Sequence, residues 1–180
     1  DLYVTGVQTC ALPILEDDRV DIDGAQYAVP FDIHSIILYY NKDKLAEAGL
    51  LGEDGKPTGL DGAENFMAAL EKLKANSEIP LSVQTSGDGT PWRVFYSLLG
   101  QQDGVFLGED GTFFPDETIP KAVKAVETMA SWVEAGYAPA LTEYENSVAL
   151  FTSGESALHM NGVWEVPTMT DLAAKGELGF

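Results

Sequence analysis

The chain has 180 residues, with 29 acidic and 10 basic side chains and a formal net charge of −19. Such an acidic surface repels phosphate backbones and anionic lipid headgroups. We therefore expect neither nucleic-acid binding nor electrostatic docking on a membrane. The 45% of hydrophobic residues suffice for one core, and the apolar runs are far shorter than the roughly 20 residues that cross a bilayer. A single cysteine excludes an intrachain disulfide and a thiolate metal cluster.

Residues 4–14 read VTGVQTCALPI, and a nucleotide run encoding them resembles a common sequencing adapter. We interpret this segment as non-native and leave it out of fold reasoning. The alternative is a genuine β-strand, because Val, Thr and Leu favour strands. The chain shows neither an initiator Met nor a signal peptide, and its last residues resemble the start of a strand. We therefore expect an internal fragment.

Strands and helices alternate along the chain, which predicts an α/β fold. Strands are predicted at 27–31, 36–40, 81–84 and 157–160. Helices are predicted at 43–48, 63–75, 91–99, 117–135, 143–152 and 167–175. Asp61 and Asp116 are the expected N-caps of the second and fourth helices. A hairpin is expected to join 105–107 to 112–114 through a glycine-containing turn.

The helix at 117–135 has the clearest periodicity, and its apolar residues are expected to form one stripe that Gly136 closes. The stripe comprises Ile119, Ala122, Val123, Val126, Met129, Ala130 and Val133.

Two segments carry more than fold information. Residues 27–50, YAVPFDIHSIILYYNKDKLAEAGL, predict two strands separated by a polar break, then a short helix that ends in glycine. Residues 151–164, FTSGESALHMNGVW, predict the end of a helix, a strand, a break at Asn161-Gly162 and an exposed Trp164.

In this order, the two segments resemble the extracellular solute-binding proteins of ABC sugar importers, of the maltodextrin-binding type. The matching positions are Pro30, His34, 36–39, Tyr40-Asn41-Lys42-Asp43, Phe151, Gly154-Glu155, 157–160 and Asn161-Gly162-Val163-Trp164. The resemblance implies a periplasmic-binding-protein type II fold, of which this chain would be mainly the second lobe. Residues 1–14 would be non-native, residues 15–36 the end of the first lobe with a hinge-crossing strand, and residues 37–180 the second lobe, truncated at its C-terminal end.

A sugar has apolar C–H faces and a rim of hydroxyls, so its site needs aromatic surfaces and fixed polar groups. The resemblance implies that Trp164 stacks on sugar and that Asp32 and His34 face ligand at the crossover between lobes. The alternatives are a core tryptophan and a hinge pair without ligand contact. His159 is interpreted as a satisfied histidine rather than a ligand. The full set of candidate ligand-binding residues is Asp32, His34, Trp92, Arg93, Tyr144, Asn161, Trp164 and Glu165.

The resemblance implies a binding subunit that captures a carbohydrate between two lobes and delivers it to ABC permease subunits. We expect a monomer outside the cytoplasm, with a lipid anchor as one possibility, and no cofactor, metal or catalytic residue. A polyol, a peptide or a glycerophosphodiester is an alternative ligand, although the scarcity of basic residues near the presumed cleft, where Arg93 stands alone, disfavours anions. A glycoside-active enzyme is a further alternative, but no catalytic motif supports it. Tyr39 and Tyr40 cannot share one metal ion, because adjacent strand residues point to opposite faces.

Overall fold

The structure, a computed structural model, describes residues 20–22, 25–28, 34–87 and 89–174. It comprises two compact units, Asp1–Ser35 and Ile36–Phe180. In the first unit, β1 (Val20–Ile22) and β2 (Ala25–Ala28) form an antiparallel pair. The suspected non-native residues 4–14 lie outside the described residues, as do residues 29–31 of the first predicted strand.

The second unit is built on a three-stranded sheet of β3 (Ile36–Tyr40), β4 (Ile79–Val83) and β5 (Ser156–Gly162). β5 lies in the centre, antiparallel to β3 and parallel to β4. The parallel pairing places the carboxyl ends of β4 and β5 at the same edge of the sheet.

The helices of the second unit confirm the predicted elements to within two residues at each end. They are α1 (Lys42–Glu47), α2 (Ala63–Lys74), α3 (Thr90–Gly100), α4 (Ile119–Glu134), α5 (Tyr144–Thr152) and α6 (Val166–Ala174), with a short 3₁₀ helix at Val163–Glu165. Within the described ranges, no helix is long and apolar enough to cross a membrane.

The sheet packs apolar side chains on both faces. Leu158 and Leu81 are fully buried in the larger core cluster with the side chains of α2. His159, the next residue of β5, stacks with Tyr39 and Phe151 instead. Because strand residues alternate between the two faces of a sheet, Leu158 and Leu81 lie on an apolar face, whereas His159 lies on a face that also carries polar groups.

Neither predicted N-cap makes a capping hydrogen bond. Gly62, with φ +80°, occupies the N-cap position of α2, and Thr118 occupies that of α4. Asp61 instead accepts a hydrogen bond from Asn65 Nδ2 through its main-chain oxygen, at 2.9 Å. Thr118 is buried, and its hydroxyl accepts from the backbone N–H of Val105 at 3.3 Å. In both places, local backbone geometry rather than cap chemistry determines where the helix starts.

The predicted apolar stripe of α4 is only partly buried. Ile119, Val123 and Val126 are 46%, 50% and 55% exposed. The residues that α4 buries most deeply are Ala125 and Trp132, which the predicted stripe omitted. Trp132 packs edge-on against Phe66 at 5.9 Å. Burying the large indole decides the rotation of the helix, since it removes more apolar area than the valines would.

Candidate functional site

The candidate site lies at the carboxyl ends of the parallel strands β4 and β5. In open α/β sheets ligands bind in the crevice outside the carboxyl ends of strands. β5 leads directly into the 3₁₀ helix that carries Trp164 and Glu165. Four of the predicted site residues meet here: Arg93, Tyr144, Trp164 and Glu165.

The sequence predicted a chain break at Asn161-Gly162, but the strand continues through both residues. Gly162 pairs with Ile36 across the sheet, and Asn161 pairs with Ile37. Asn161 is therefore a buried strand residue with 1% exposure rather than a turn residue. The antiparallel ladder with β3 supplies the backbone partners that keep the strand extended.

Trp164 rests on Gly162. A Cβ at Gly162 would lie 2.2 to 2.3 Å from three consecutive atoms of the six-membered ring of Trp164. Such nearly equal distances require the Cβ to lie above the ring, so the glycine occupies part of a ring face. The φ of Gly162 is −83°, which any residue can adopt, so this position requires glycine for space rather than for conformation.

Arg93, from the first turn of α3, lies over the indole of Trp164. The guanidinium carbon is 5.2 Å from the ring centroid, within the range of a cation–π contact. Trp164 is partly buried rather than freely exposed. The ring therefore contacts the backbone at Gly162 and a cationic neighbour.

The Tyr144 hydroxyl joins the polar groups of the site. It accepts from Trp164 Nε1 at 2.8 Å and donates to the Glu165 carboxylate. The Asn161 amide also lowers the pKa of the Tyr144 hydroxyl, as an N–H donor near that oxygen does. Burial, followed by the hydrogen bond to Glu165, raises the pKa of Tyr144, so the group remains a neutral donor.

Below Tyr144 lies a buried polar chain. Asn161 Oδ1 accepts from the backbone N–H of Gly162 at 2.8 Å, and Asn161 Nδ2 lies 3.1 Å from Nε2 of His159. His159 is fully buried, with Nδ1 2.7 Å from Ser82 Oγ and 3.1 Å from Ser82 O. The interpretation of His159 as a satisfied histidine agrees with these contacts.

Tyr39 closes this network from β3. Its hydroxyl donates to the carbonyl oxygen of Gly162 at 2.8 Å. Burial, then the charges of Glu165 and Tyr144, raise the pKa of Tyr39 to about 12. Tyr39 therefore remains a donor at neutral pH and holds the residue on which Trp164 rests.

Trp92 belongs to a different environment. It is 46% exposed, and its ring contacts Phe95, Tyr96 and Phe106 at centroid distances of 5.4, 6.3 and 5.2 Å. Phe106 in turn packs edge-on against Phe113, which is 66% exposed. The confirmed hairpin, with its bridge between Leu107 and Phe113, brings these rings to Trp92. We call Trp92, Tyr96, Phe106 and Phe113 the aromatic surface.

The structure does not test the two candidates at the predicted crossover. Asp32 lies outside the described residues, and His34 is an exposed residue of the first unit. Their contact with ligand stays a prediction.

Sequence reasoning missed the roles of Gly162 and His159. Gly162 read as a turn glycine, because the contact that excludes a side chain comes from tertiary packing. His159 had a detectable signal: a polar residue in the middle of an apolar strand needs a buried partner. The sequence could not identify Ser82 and Asn161 as the partners. In the part of the chain that the structure describes, no group of three metal-ligating side chains occurs.

The family model for bacterial extracellular solute-binding proteins matches residues 11–180. The chain belongs to this family. It is 30% identical over 165 residues to the lactose-binding protein of Rhizobium radiobacter, covering 89% of this chain and 37% of that protein. It is 29% identical over 157 residues to the maltodextrin-binding protein of Bacillus subtilis, covering 83% and 35%. The chain thus spans a little over a third of the length of these relatives.

Solved structures of binding proteins show the same fold. The cyclic alpha-maltosyl-1,6-maltose binding protein from Arthrobacter globiformis superposes with a TM-score of 0.66 at 24% identity, covering 88% of this chain and 38% of that one. The sugar-binding protein MalE from Xanthomonas citri gives 0.67 at 20% identity, covering 88% and 39%. The predicted α/β fold of the periplasmic-binding-protein type II class is confirmed.

Proposed function

We propose that this solute-binding chain contributes one wall of a carbohydrate site in the binding subunit of an ABC importer. The arrangement around Trp164 carries the proposal. Its N–H is already hydrogen-bonded to Tyr144, and a guanidinium and a carboxylate border its apolar ring. A sugar can stack a C–H face on such a ring while its hydroxyls meet charged donors and acceptors. The names of the relatives, which bind lactose and maltodextrin, support the same ligand class.

We assign residues 37–180 mainly to the second lobe of the subunit, with residues 15–36 as the end of the first lobe and the hinge crossing. Asp32 and His34 would then reach the ligand from the crossover. Capture would proceed by closure of two lobes around the sugar, and release would deliver it to permease subunits in the membrane. Membership of the extracellular solute-binding family places this work outside the cytoplasm. A monomer suffices for it.

Charge favours a neutral ligand. The formal net charge of −19 repels anions over most of the surface. Arg93 is the cation at the site, and its guanidinium is engaged with Trp164. A carbohydrate or polyol therefore fits better than a glycerophosphodiester or an acidic peptide.

The arrangement favours binding over hydrolysis. A glycosidase requires two carboxyl groups on either side of the scissile bond, one of them free to exchange a proton. Glu165 instead accepts a hydrogen bond from the Tyr144 hydroxyl, which also accepts from Trp164 Nε1. We expect the protein to release the sugar unchanged.

The test uses the complete gene product that contains this chain. Titration calorimetry with lactose, maltodextrins, a polyol and a peptide should show binding of a carbohydrate, and small-angle scattering should show compaction on binding. The 180-residue chain alone should bind weakly or not at all, because half the contacts no longer offset the cost of association. Labelled oligosaccharides should be recovered intact. Turnover that is lost on changing Glu165 would establish the enzyme alternative, and binding of the peptide alone would overturn the carbohydrate assignment.

A further inference from the structure

The buried polar chain beneath Tyr144 lies on the face of the sheet opposite Leu158 and Leu81. It runs from Ser82 through His159 and Asn161 to the backbone N–H of Gly162. Buried polar groups cost free energy unless each is satisfied, so their arrangement tends to specify one conformation.

The hydrogen bonds assign one orientation to the Asn161 amide. Its oxygen must accept from the backbone N–H of Gly162, at 2.8 Å. Its nitrogen is then left to donate, with an N–H toward His159 Nε2 at 3.1 Å. Both the oxygen and the nitrogen of the amide are hydrogen-bonded. In a flipped amide, the nitrogen would face the backbone N–H of Gly162, and two donors cannot bond each other.

The same bonds assign the tautomer of His159. Because Nε2 accepts from Asn161, the ring proton must be on Nδ1. There it can be donated to Ser82 O at 3.1 Å or to Ser82 Oγ at 2.7 Å. Ser82 is itself fully buried, on the neighbouring strand β4. The ring also packs against Phe151 and Tyr39, whose centroids lie 5.4 and 6.0 Å from its own.

We infer that His159 is a positioning residue of the carbohydrate site, acting through Asn161 and Gly162 on Trp164. The inference rests on the proposed function only for its effect on sugar affinity. His159 holds the Asn161 amide in one orientation, and the amide oxygen accepts from the backbone N–H of Gly162, the residue on which Trp164 rests. Tyr144 accepts from the Trp164 indole and donates to Glu165, so the carboxylate is fixed relative to the ring. The indole is thereby set before ligand arrives, which removes part of the ordering cost of binding.

The matched variants are His159→Leu and His159→Gln. Leucine fills similar space but cannot accept a hydrogen bond, whereas the glutamine carbonyl can accept from Asn161 Nδ2. In ¹⁵N-labelled chain, the indole N–H signals of Trp92, Trp132 and Trp164 are assigned by single Trp→Phe changes. In His159→Leu the Trp164 signal should shift or broaden while the Trp132 signal stays, since Trp132 packs in the larger core cluster. His159→Gln should restore the Trp164 signal.

A role confined to stability would lower the melting temperature of His159→Leu and leave the Trp164 signal where it is; that result overturns the inference. If His159→Leu does not fold, the imidazole ¹⁵N shifts of the unaltered protein decide instead. We expect a neutral ring protonated at Nδ1, and protonation at Nε2 at pH 7 would equally overturn the assignment.

In the complete gene product, His159→Leu should weaken maltodextrin binding by about tenfold, the scale of one lost buried hydrogen bond, with recovery in His159→Gln. The nuclear magnetic resonance experiment needs no ligand. Absence of sugar binding in all versions would therefore contradict the proposed function and leave the positioning role to be decided by the indole signals.

Discussion

The two tryptophans near the carboxyl ends of β4 and β5 are held in different ways. Trp164 is fixed by a directional hydrogen bond to Tyr144, by its contact with Gly162 and by Arg93. Trp92 is held by ring contacts with Phe95, Tyr96 and Phe106, and nearly half of its surface is exposed. Ring contacts tolerate rotation and sliding, whereas hydrogen bonds between buried groups define one geometry. Trp164 is thus preorganised, and the aromatic surface around Trp92 is adaptable.

The largest effect that separates the two regions should come from pH. Burial lowers the pKa of His159 from 6.5 to about 4. In the unfolded chain His159 therefore binds a proton below pH 6.5, whereas in the folded chain it does so only near pH 4. Stability is lost as pH falls through this interval, by about 3 kcal/mol for a difference of this size. As the pH falls from 7 to 4, the melting temperature of the unaltered chain should fall more than that of His159→Gln.

Carboxylates titrate in the same interval in both proteins, so the difference between the two curves isolates the histidine. Parallel curves would show that His159 is not buried in the way described. The indole signal of Trp92 should stay unchanged throughout, because no contact of the buried chain reaches the aromatic surface.

The next largest effect should come from a methyl group at Gly162, which would disturb the packing of Trp164. Gly162→Ala places a Cβ 2.2 Å from the indole ring, so the ring must move or the strand must shift, at about 2 kcal/mol. Denaturant unfolding and tryptophan fluorescence would detect both changes. Gly100→Ala is the control, because nothing lies within 4 Å of a Cβ at that helical position. Equal stability of the two variants would mean that Trp164 does not rest on Gly162.

Removing each tryptophan side chain compares the regions directly. In the complete gene product, Trp164→Ala should weaken carbohydrate binding by about 1–3 kcal/mol, the loss of one aromatic contact and its buried area. Trp92→Ala should cost less than about 1 kcal/mol, as do most contacts outside a preorganised centre. Calorimetry with circular dichroism as a folding check provides the measurement. A larger loss for Trp92→Ala would move the centre of the site to the aromatic surface.

The smallest effect should come from one hydroxyl. Tyr144→Phe leaves Trp164 Nε1 without its acceptor and Glu165 without its donor, which should lower the free energy of unfolding by about 1 kcal/mol. Tyr96→Phe removes a hydroxyl from a residue that is 53% exposed and should change stability by less than about 0.5 kcal/mol. Chemical denaturation resolves the two. If Tyr96→Phe proves the costlier change, the hydroxyl of Tyr144 is not the centre of the network.

Much of the secondary structure was predictable, because apolar periodicity and glycine stops act locally. The buried face of α4 was not predictable, since Ile119, Val123 and Val126 have the spacing of a core stripe but lie exposed. Periodicity shows that a helix is amphipathic, but the partner surface decides its rotation. The bulk of Trp132 outweighed three smaller residues.

The candidate site divides in the same manner. The residues of β5 and its extension determine a strand, a glycine and a following tryptophan, and together with residues 27–50 they suggested a sugar-binding family. That Tyr144 is the shared partner of Trp164 and Glu165 was decided only by folding, because α5 reaches the end of β5 through tertiary packing. The same holds for His159, whose partner Ser82 lies 77 residues away in the chain. Each side chain determines its own hydrogen-bonding capacity, but the direction and length of its hydrogen bonds are fixed only once the strands and helices are packed.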